Sequence, residues 1–327
     1  MPYPRIGLVG CGTVGTLHAE RLIAQGASIT AVCDPDAEAL SRMAHALPER
    51  PQLFRSEQDL LAADAVDAVV LCTPHARHSR QIEAALEAGV HVLCEKPFVT
   101  QHERGVALVQ KAREKNLALF VAYTRRSRGH ARFLQAAGGR IGPVRFVSIL
   151  RSQPWLQTHS RTWRMRETEG GGFLRDAGAS MLDLTLHLLP ESLQQAEAEL
   201  FRVGPAEVDV RASVRLTTLS GARAELTLLG DATETLERIQ LFGENGTAGW
   251  WLREDGHGEL YLRTATGAVE IPDPATYRIA TPDAAFLAAL RSRRGFDADT
   301  APDLYAAATA LRTVALVERL YQEGTWH

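Results

Sequence analysis

Apolar and polar positions change period twice along this chain. Within the first 33 residues RIGLV is a continuous apolar run, TVGTLHAERLIA repeats its apolar positions every three or four residues, and ASITAVC is apolar again. These periods predict strand, helix and strand. Two parallel strands joined by a helix make one right-handed βαβ unit. DAVVLCTP (67–74), HSRQIEAALEAG (78–89) and HVLCEKP (91–97) repeat the succession. The strand-like runs are apolar throughout, as strands covered on both faces are, so a doubly wound parallel sheet is expected.

From about residue 140 the apolar positions alternate instead. RFVSILRSQ, VDVRASVRLTT, ARAELTLLGD, ERIQLFGENGTAGWWL and GELYLRTATGAVEIP read as antiparallel strands, with SG and GENGT as turns. Two helices are expected at the end, over DAAFLAALRSRRG and APDLYAAATALRTVALVERLYQEG. Between the two textures, GGGFLRDAGASMLDLTLHLL (170–189) predicts a glycine-rich approach to an amphipathic helix. Its Asp176, Ser180, Asp183 and His187 fall at i, i+4, i+7 and i+11, on one face. The expected fold class is α/β plus α+β. A parallel-sheet domain covers 1–123 and an open, mostly antiparallel sheet domain covers 124–327, with the C-terminal helix packing back on the first.

Composition narrows the function classes. The chain has 327 residues, room for two cores of ordinary size. A formal net charge of −3 gives no basic field for nucleic acid or an anionic membrane. No apolar run reaches about 18 residues, and the N-terminus enters a strand pattern at once. A cytoplasmic protein is expected. Cys11, Cys33, Cys72 and Cys94 lie in or at the ends of strand-like runs without CxxC or CxxH spacing. They read as small buried hydrophobes in a reducing compartment, and no metal site is expected. His75 and His78 form an HxxH, too few ligands for one. Of 36 basic residues only Lys96, Lys111 and Lys115 are lysines. Lys96 stands out at a strand end, because a desolvated lysine can release its proton near neutral pH and an arginine cannot.

Gly10, Gly12 and Gly15 make G-x-G-x-x-G between a strand and a helix, the context in which that motif signals a dinucleotide. Gly10, Gly12, Thr13, Val14 and Gly15 are the expected pyrophosphate loop, backed by the free N–H groups of the helix start. Asp34 closes the second strand, where a carboxylate accepts the ribose hydroxyls and repels a 2′-phosphate. No basic residue follows it in DPDAEAL, so NAD is expected rather than NADP. The plainer reading of Asp34 is the N-cap of the next helix. Thr73, Pro74, Glu95 and Lys96 fall at carboxyl ends of strands, where ligands of such sheets sit.

Taken together, GLVGCGTVG, AVCDPD, DAVVLCTPHARHSRQIEAALEAGVHVLCEKPFVT, VAYTRRSRGHARFLQAAGGRIGPVRFV, WRMRETEGGGFLRDAGASMLDL and LERIQLFGENGTAGW resemble the glucose-fructose oxidoreductase, inositol dehydrogenase and rhizopine catabolism (Gfo/Idh/MocA) family. His78 and His91 stand at the family's two histidine positions, His75 replaces its usual asparagine, and Thr124 replaces another. The resemblance implies a Rossmann domain followed by a sheet that presents substrate to the nicotinamide. It assigns His78 to the cofactor region, makes Lys96 catalytic or substrate-polarising, and suggests a cis Lys96–Pro97 bond. The family helix carries Asp-x-Gly-x-His. Here Asp176 keeps the aspartate, but Ser180 stands where the histidine belongs.

His187 lies 11 residues beyond Asp176, about 16 Å along the helix axis, and still about 10 Å from Ser180, outside hydrogen-bond reach, so it reads as a core or domain-interface histidine. Ser180 could relay a proton through water, and Lys96 could act as base if burial lowered its pKa. Tyr123, Arg126, His159, Trp163 and Arg164 are candidates to line the substrate pocket. The plainer alternatives are a solvated surface or a salt bridge for the arginines and core packing for Trp163.

The expected function is NAD-dependent hydride transfer with a polyol, sugar or related hydroxy or keto compound. A cofactor-binding sensor without turnover is the alternative that Ser180 raises, and redox-neutral elimination or hydrolysis on bound NAD is a third. An open sheet face predicts a homodimer or homotetramer.

Overall fold

Short runs of β-branched and leucine residues supply the interior strands of the first of two units. The computed structural model describes residues 4–252, 258–292 and 304–327. In chain order the first unit runs β1 (Arg5–Val9), α1 (Thr13–Ala24), β2 (Ser28–Cys33), α2 (Ala37–Ala46), β3 (Gln52–Phe54) and α3 (Glu57–Ala62). It continues through β4 (Ala68–Leu71), α4 (His78–Glu87), β5 (His91–Cys94), α5 (His102–Glu114) and β6 (Leu119–Val121). All six strands are parallel, in the order β3-β2-β1-β4-β5-β6. The chain winds outward from β1 to β3 and then returns to place β4 beside β1. That reversal opens a crevice at the carboxyl ends of β1 and β4. Ile6, Leu8, Val32, Val70, Leu71, Val92 and Leu93 are buried between the helical layers, which explains why these strands lack alternation.

The second unit holds α6 (Gly129–Ile141), β7 (Val144–Ser152), α7 (Trp155–His159), α8 (Ala179–Leu188), β8 (Leu193–Phe201), β9 (Arg211–Thr218) and β10 (Arg223–Leu229). After these come β11 (Leu236–Gly243), β12 (Gly246–Leu252), β13 (Gly258–Thr264) and β14 (Val269–Glu270). The chain closes with α9 (Pro282–Ser292), α10 (Ala307–Glu323) and β15 (Thr325–Trp326). The sheet order is β14-β13-β12-β11-β7-β10-β9-β8-β15, antiparallel except where β7 meets β10 and β8 meets β15. Alternate residues such as Ala198, Val214, Leu226, Ile149 and Ile239 turn inward onto α6 and α8. The opposite face carries Glu197 and Arg215, paired at 3.2 Å. Glu244 and Asn245 make the two-residue turn of the β11–β12 hairpin.

Residues 280–314 fold with 1–123, and 315–327 return to the second unit. Phe286 of α9 packs against Phe120 at 5.5 Å between ring centres, and Ala310 and Val314 of α10 join the core around Val121. Residues 293–295 and 301–303 of the two expected helices lie outside the described residues. Among the described residues no helix is long and apolar enough to cross a membrane.

The segment 170–189 differs from a single amphipathic helix. Leu174–Gly178 is a π turn, followed by the α-helix Ala179–Leu188. A π turn bonds i to i+5, so Asp176 loses the simple α-helical register with Ser180, and the expected polar stripe is broken. Most of α8 is buried, and its Asp183 is as buried as its leucines.

Candidate functional site

At the end of β1 the backbone turns through Gly10, whose φ is +98°. A Cβ there would stand 2.5 Å from the Cys72 carbonyl oxygen. A Cβ on Gly15 would collide with the Gly10 carbonyl, so helix and turn approach as closely as two backbones can. Gly12 is different, for nothing lies within 4 Å of where its Cβ would be. It is also the N-cap of α1 and supplies no side-chain bond to the helix start. The opening N–H groups of α1, from Thr13 and Val14 onward, lack intrahelical partners and favour an anion. This open cradle fits a pyrophosphate.

Asp34 follows β2 with Oδ2 accepting the Cys11 N–H at 2.8 Å and Oδ1 accepting the Asp36 N–H at 2.9 Å. It is not the cap of α2. Asp36 is, through the Glu38 N–H. Each carboxylate oxygen can accept more than one bond, so these ties orient Asp34 while leaving capacity for ribose hydroxyls. The residues present fit NAD.

At the ends of β4 and β5 the expected cofactor histidine proves to be scaffold. His78 is fully buried, with Nδ1 2.9 Å from the Pro97 carbonyl oxygen and Nε2 3.0 Å from that of Thr73. It ties the two strand-end loops together, and burial pushes its pKa down. Thr73 donates its hydroxyl to Gln81 Oε1. Pro74 precedes a short turn at His75–Arg77. Lys96 is half-buried, its bond to Pro97 is cis, and its N–H donates to Glu95 Oε2 at 2.9 Å. Glu95 also binds His18 at 3.0 Å. Burial raises its pKa, but the His18 hydrogen bond and the His18 and Lys96 charges outweigh that and hold it below the ordinary carboxyl value. Glu95 is thus oriented by His18 and by the Lys96 backbone.

Cys11, Cys33 and Cys94 are buried and Cys72 half-buried. Burial pushes the Cys11 and Cys33 thiols up to about 12 and the other two well above the usual value, which leaves all four protonated and unreactive. Among the described residues no group of three or more potential metal ligands occurs.

In the second unit Asp176 is buried. Its Oδ2 accepts the indole N–H of Trp155 at 2.8 Å and the Nε–H of Arg164 at 2.9 Å. The Arg164 guanidinium lies 4.5 Å from the ring centre of Trp163, and the His159 ring lies 5.8 Å from Trp155. Asp176, Trp163, Arg164 and His159 are therefore brought together. Trp155 is a further member that sequence reasoning missed, since an apolar tryptophan 21 residues before the aspartate carries no signal of the bond. Ser180 is half-buried at the start of α8.

The glycines before the π turn have a cause of their own. Asp209 accepts the Leu174 N–H at 2.7 Å and the Tyr321 hydroxyl at 2.5 Å. A Cβ on Gly172, where φ is +113°, would collide with both side chains.

Two expected pocket residues are corrected. Arg126 is buried, giving Nε–H to Asp183 Oδ2 at 2.8 Å and Nη2–H to Oδ1 at 2.6 Å, so its fork is occupied by α8 rather than by substrate. Tyr123 is buried in the apolar core around β5 and β6. His187 donates Nδ1–H to the Asp183 carbonyl at 2.8 Å, a local tie on its own helix.

Two family models match: residues 4–123 fit the oxidoreductase family with an NAD-binding Rossmann fold, and residues 135–249 fit the GFO/IDH/MocA C-terminal domain. The chain belongs to the GFO/IDH/MocA family. Its first unit carries the family's NAD-binding Rossmann fold. The inositol 2-dehydrogenase of Rhizobium meliloti is 31% identical over 251 residues, 74% of each chain. The UDP-N-acetylglucosamine 3-dehydrogenase of Acidithiobacillus ferrooxidans is 35% identical over 155 residues, and the match spans 47% of each chain, about half the length of that relative. The solved structure of that enzyme superimposes with a TM-score of 0.79 at 26% identity, covering 99% of this chain and 98% of that one. The GFO/IDH/MocA resemblance in the quoted motifs therefore extends to the fold of both units.

Proposed function

We propose that this GFO/IDH/MocA protein is an NAD-dependent dehydrogenase that oxidises a CH–OH group of a polyol or sugar, or reduces the corresponding ketone. The named relatives act on a cyclic polyol and on a nucleotide sugar, which supports that substrate class. The observation that carries the reading is the tight Gly10–Gly15 turn into the start of α1, in a unit whose β5 end presents Lys96. Gly10, Gly12, Thr13, Val14 and Gly15 would hold the pyrophosphate and Asp34 the adenosine ribose. NAD is favoured over NADP because the Asp34 carboxylate repels a 2′-phosphate.

When bound, the nicotinamide supplies the hydride acceptor. Lys96 donates a hydrogen bond from its ammonium to the reacting oxygen and stabilises the charge that develops there. Asp176, locked by Trp155 and Arg164, orients a substrate hydroxyl. Ser180 passes the hydroxyl proton to water, a relay rather than a base, because an unassisted serine hydroxyl does not ionise near neutral pH. Trp163 and Arg164 line the substrate side.

Steady-state oxidation of myo-inositol and UDP-N-acetylglucosamine with NAD+ tests the assignment. Lys96→Ala is expected to lower kcat by about a hundredfold or more while NADH binding is kept. Unchanged turnover in Lys96→Ala would remove the assigned role. Because Ser180 replaces histidine, a sensor is the competing reading, and it predicts NADH binding with no turnover on any member of a wider panel of inositols, sugars, sugar acids and sugar alcohols.

A further inference from the structure

Charge is buried at one place in the first unit where apolar packing would ordinarily serve. His18, on α1, has no solvent exposure. Its Nδ1 lies 2.5 Å from Asp283 Oδ1 and its Nε2 3.0 Å from Glu95 Oε1. A neutral imidazole carries one N–H, so it can donate to only one of two carboxylates, and this geometry calls for both ring protons. Burial opposes the charge, but the hydrogen bonds to Asp283 and Glu95, with their negative fields, outweigh it and hold the His18 pKa up to about 9. Asp283 lies at the start of α9 and is fully buried. Its Oδ2 receives no hydrogen bond, and Arg21 stands 3.8 Å from it. His18 is therefore its chief partner.

The chain of contacts ends at the lysine. Glu95 Oε1 faces His18, and Glu95 Oε2 accepts the N–H of Lys96 at 2.9 Å. A carboxylate gripped at both oxygens cannot swing, and one of those grips is the backbone from which the Lys96 side chain leaves. The other two lysines are tied elsewhere: Lys111 binds Glu83 and Glu87 at 2.7 and 2.9 Å, and Lys115 reaches the Glu87 carbonyl at 3.4 Å.

We propose that His18 is a positioning residue for Lys96, acting through Glu95, and that Asp283 of α9 holds His18 in place for that task. The proposal rests on Lys96 being the substrate-polarising group. It assigns functions to a helix that the glycine motif leaves unexplained past Gly15, and to a residue 265 positions from His18 in the segment 280–314 that joins the first unit. It also gives a reason for a buried charged triad, whose desolvation is costly and which apolar residues would replace without loss if packing were its only role.

The three lysines allow a test that does not depend on knowing the substrate. Reductive methylation with 13C-formaldehyde labels each amine, and the Lys96 signal is assigned by its absence in Lys96→Arg. In folded His18→Gln the Lys96 resonance is expected to shift and broaden while those of Lys111 and Lys115 stay in place. In Glu95→Gln, adding His18→Gln is expected to produce no further displacement, because the link already runs through Glu95. Should His18→Gln fail to fold, Asp283→Asn removes the anchor with the imidazole kept, and the same displacement is expected. A Lys96 resonance unmoved in the folded variant overturns the proposal, as does an equal shift of all three lysines, which marks a general loosening. With a turned-over substrate, kcat of His18→Gln should fall about ten- to a hundredfold with the KM for NAD+ changed far less. Intact turnover in Lys96→Ala would refute the function of Lys96, whereas an unmoved Lys96 signal would refute its control by His18.

Discussion

Removing the charge of Asp183 should destabilise the second unit far more than it affects any substrate interaction. The Arg126 and Asp183 side chains are 2% and 1% exposed and share two parallel hydrogen bonds. Asp183→Asn leaves a buried guanidinium without its counter-charge, and breaking such a pair from one side costs about 3–5 kcal/mol. The amide still accepts one bond, which places the expected loss near the lower end, about 3 kcal/mol. With a urea m-value of about 2 kcal/mol per molar for a unit of this size, the unfolding midpoint should fall by about 1.5 M. All five tryptophans, Trp155, Trp163, Trp250, Trp251 and Trp326, belong to the second unit, so their fluorescence follows that unit alone. Replacing both partners, Arg126→Met with Asp183→Leu, should restore most of the loss, since apolar side chains of similar volume need no counter-charge. A midpoint unchanged by Asp183→Asn, together with a raised substrate KM in Arg126→Met, would refute the structural role and return Arg126 to the substrate.

Three other outcomes follow from the geometry. His18 has a folded pKa raised to about 9, above its unfolded value of about 6.5, so its stabilisation is full below about pH 6.5 and is lost as pH rises through about 9. That amounts to about 3 kcal/mol for the first unit, measured as hydrogen-exchange protection of β1, β4 and β5, and a flat profile over this range would contradict it. Gly12→Ala should melt like the unsubstituted protein but bind NADH at least tenfold more weakly, because its Cβ enters the open cradle, whereas Gly15→Ala should lower the melting temperature by colliding with the Gly10 carbonyl. Equal effects of the two on melting would sink the distinction. The open face of the second sheet carries Phe242 and Trp251, each 38% exposed, and the expected homodimer or homotetramer through it predicts that Phe242→Arg lowers the sedimenting mass. A monomer mass for the unsubstituted protein at micromolar concentration would rule that assembly out.

The parallel sheet and its glycine loop are legible because their causes are local: an apolar run needs cover on both faces, and Gly10 needs a positive φ. The antiparallel strands are legible by alternation in the same way. What escapes is whatever depends on partners distant in sequence. Arg126 reads as a pocket residue until Asp183, 57 positions on, occupies its fork, and nothing local in the sequence ties the Trp155 indole N–H to Asp176. The π turn at 174–178 is hidden because leucine spacing is compatible with either helix geometry. His18 and Asp283 are 265 residues apart, and only the return of α9 to the first unit brings them into contact. Asp34 and Asp36 illustrate a finer limit, since two aspartates two residues apart are equally plausible caps and only backbone conformation assigns the role to the second.

The central claim, that hydride passes between substrate and nicotinamide under the control of Lys96, is tested most directly by isotope transfer. Ring-deuterated myo-inositol and deuterated UDP-N-acetylglucosamine would be incubated with NAD+ and the protein, and the nicotinamide product analysed by mass spectrometry beside a Lys96→Ala control. The account predicts deuterium in the reduced nicotinamide with the unsubstituted protein and its loss in the control. Reduced nicotinamide that carries no substrate deuterium, or deuterium transfer that survives in Lys96→Ala, would contradict it.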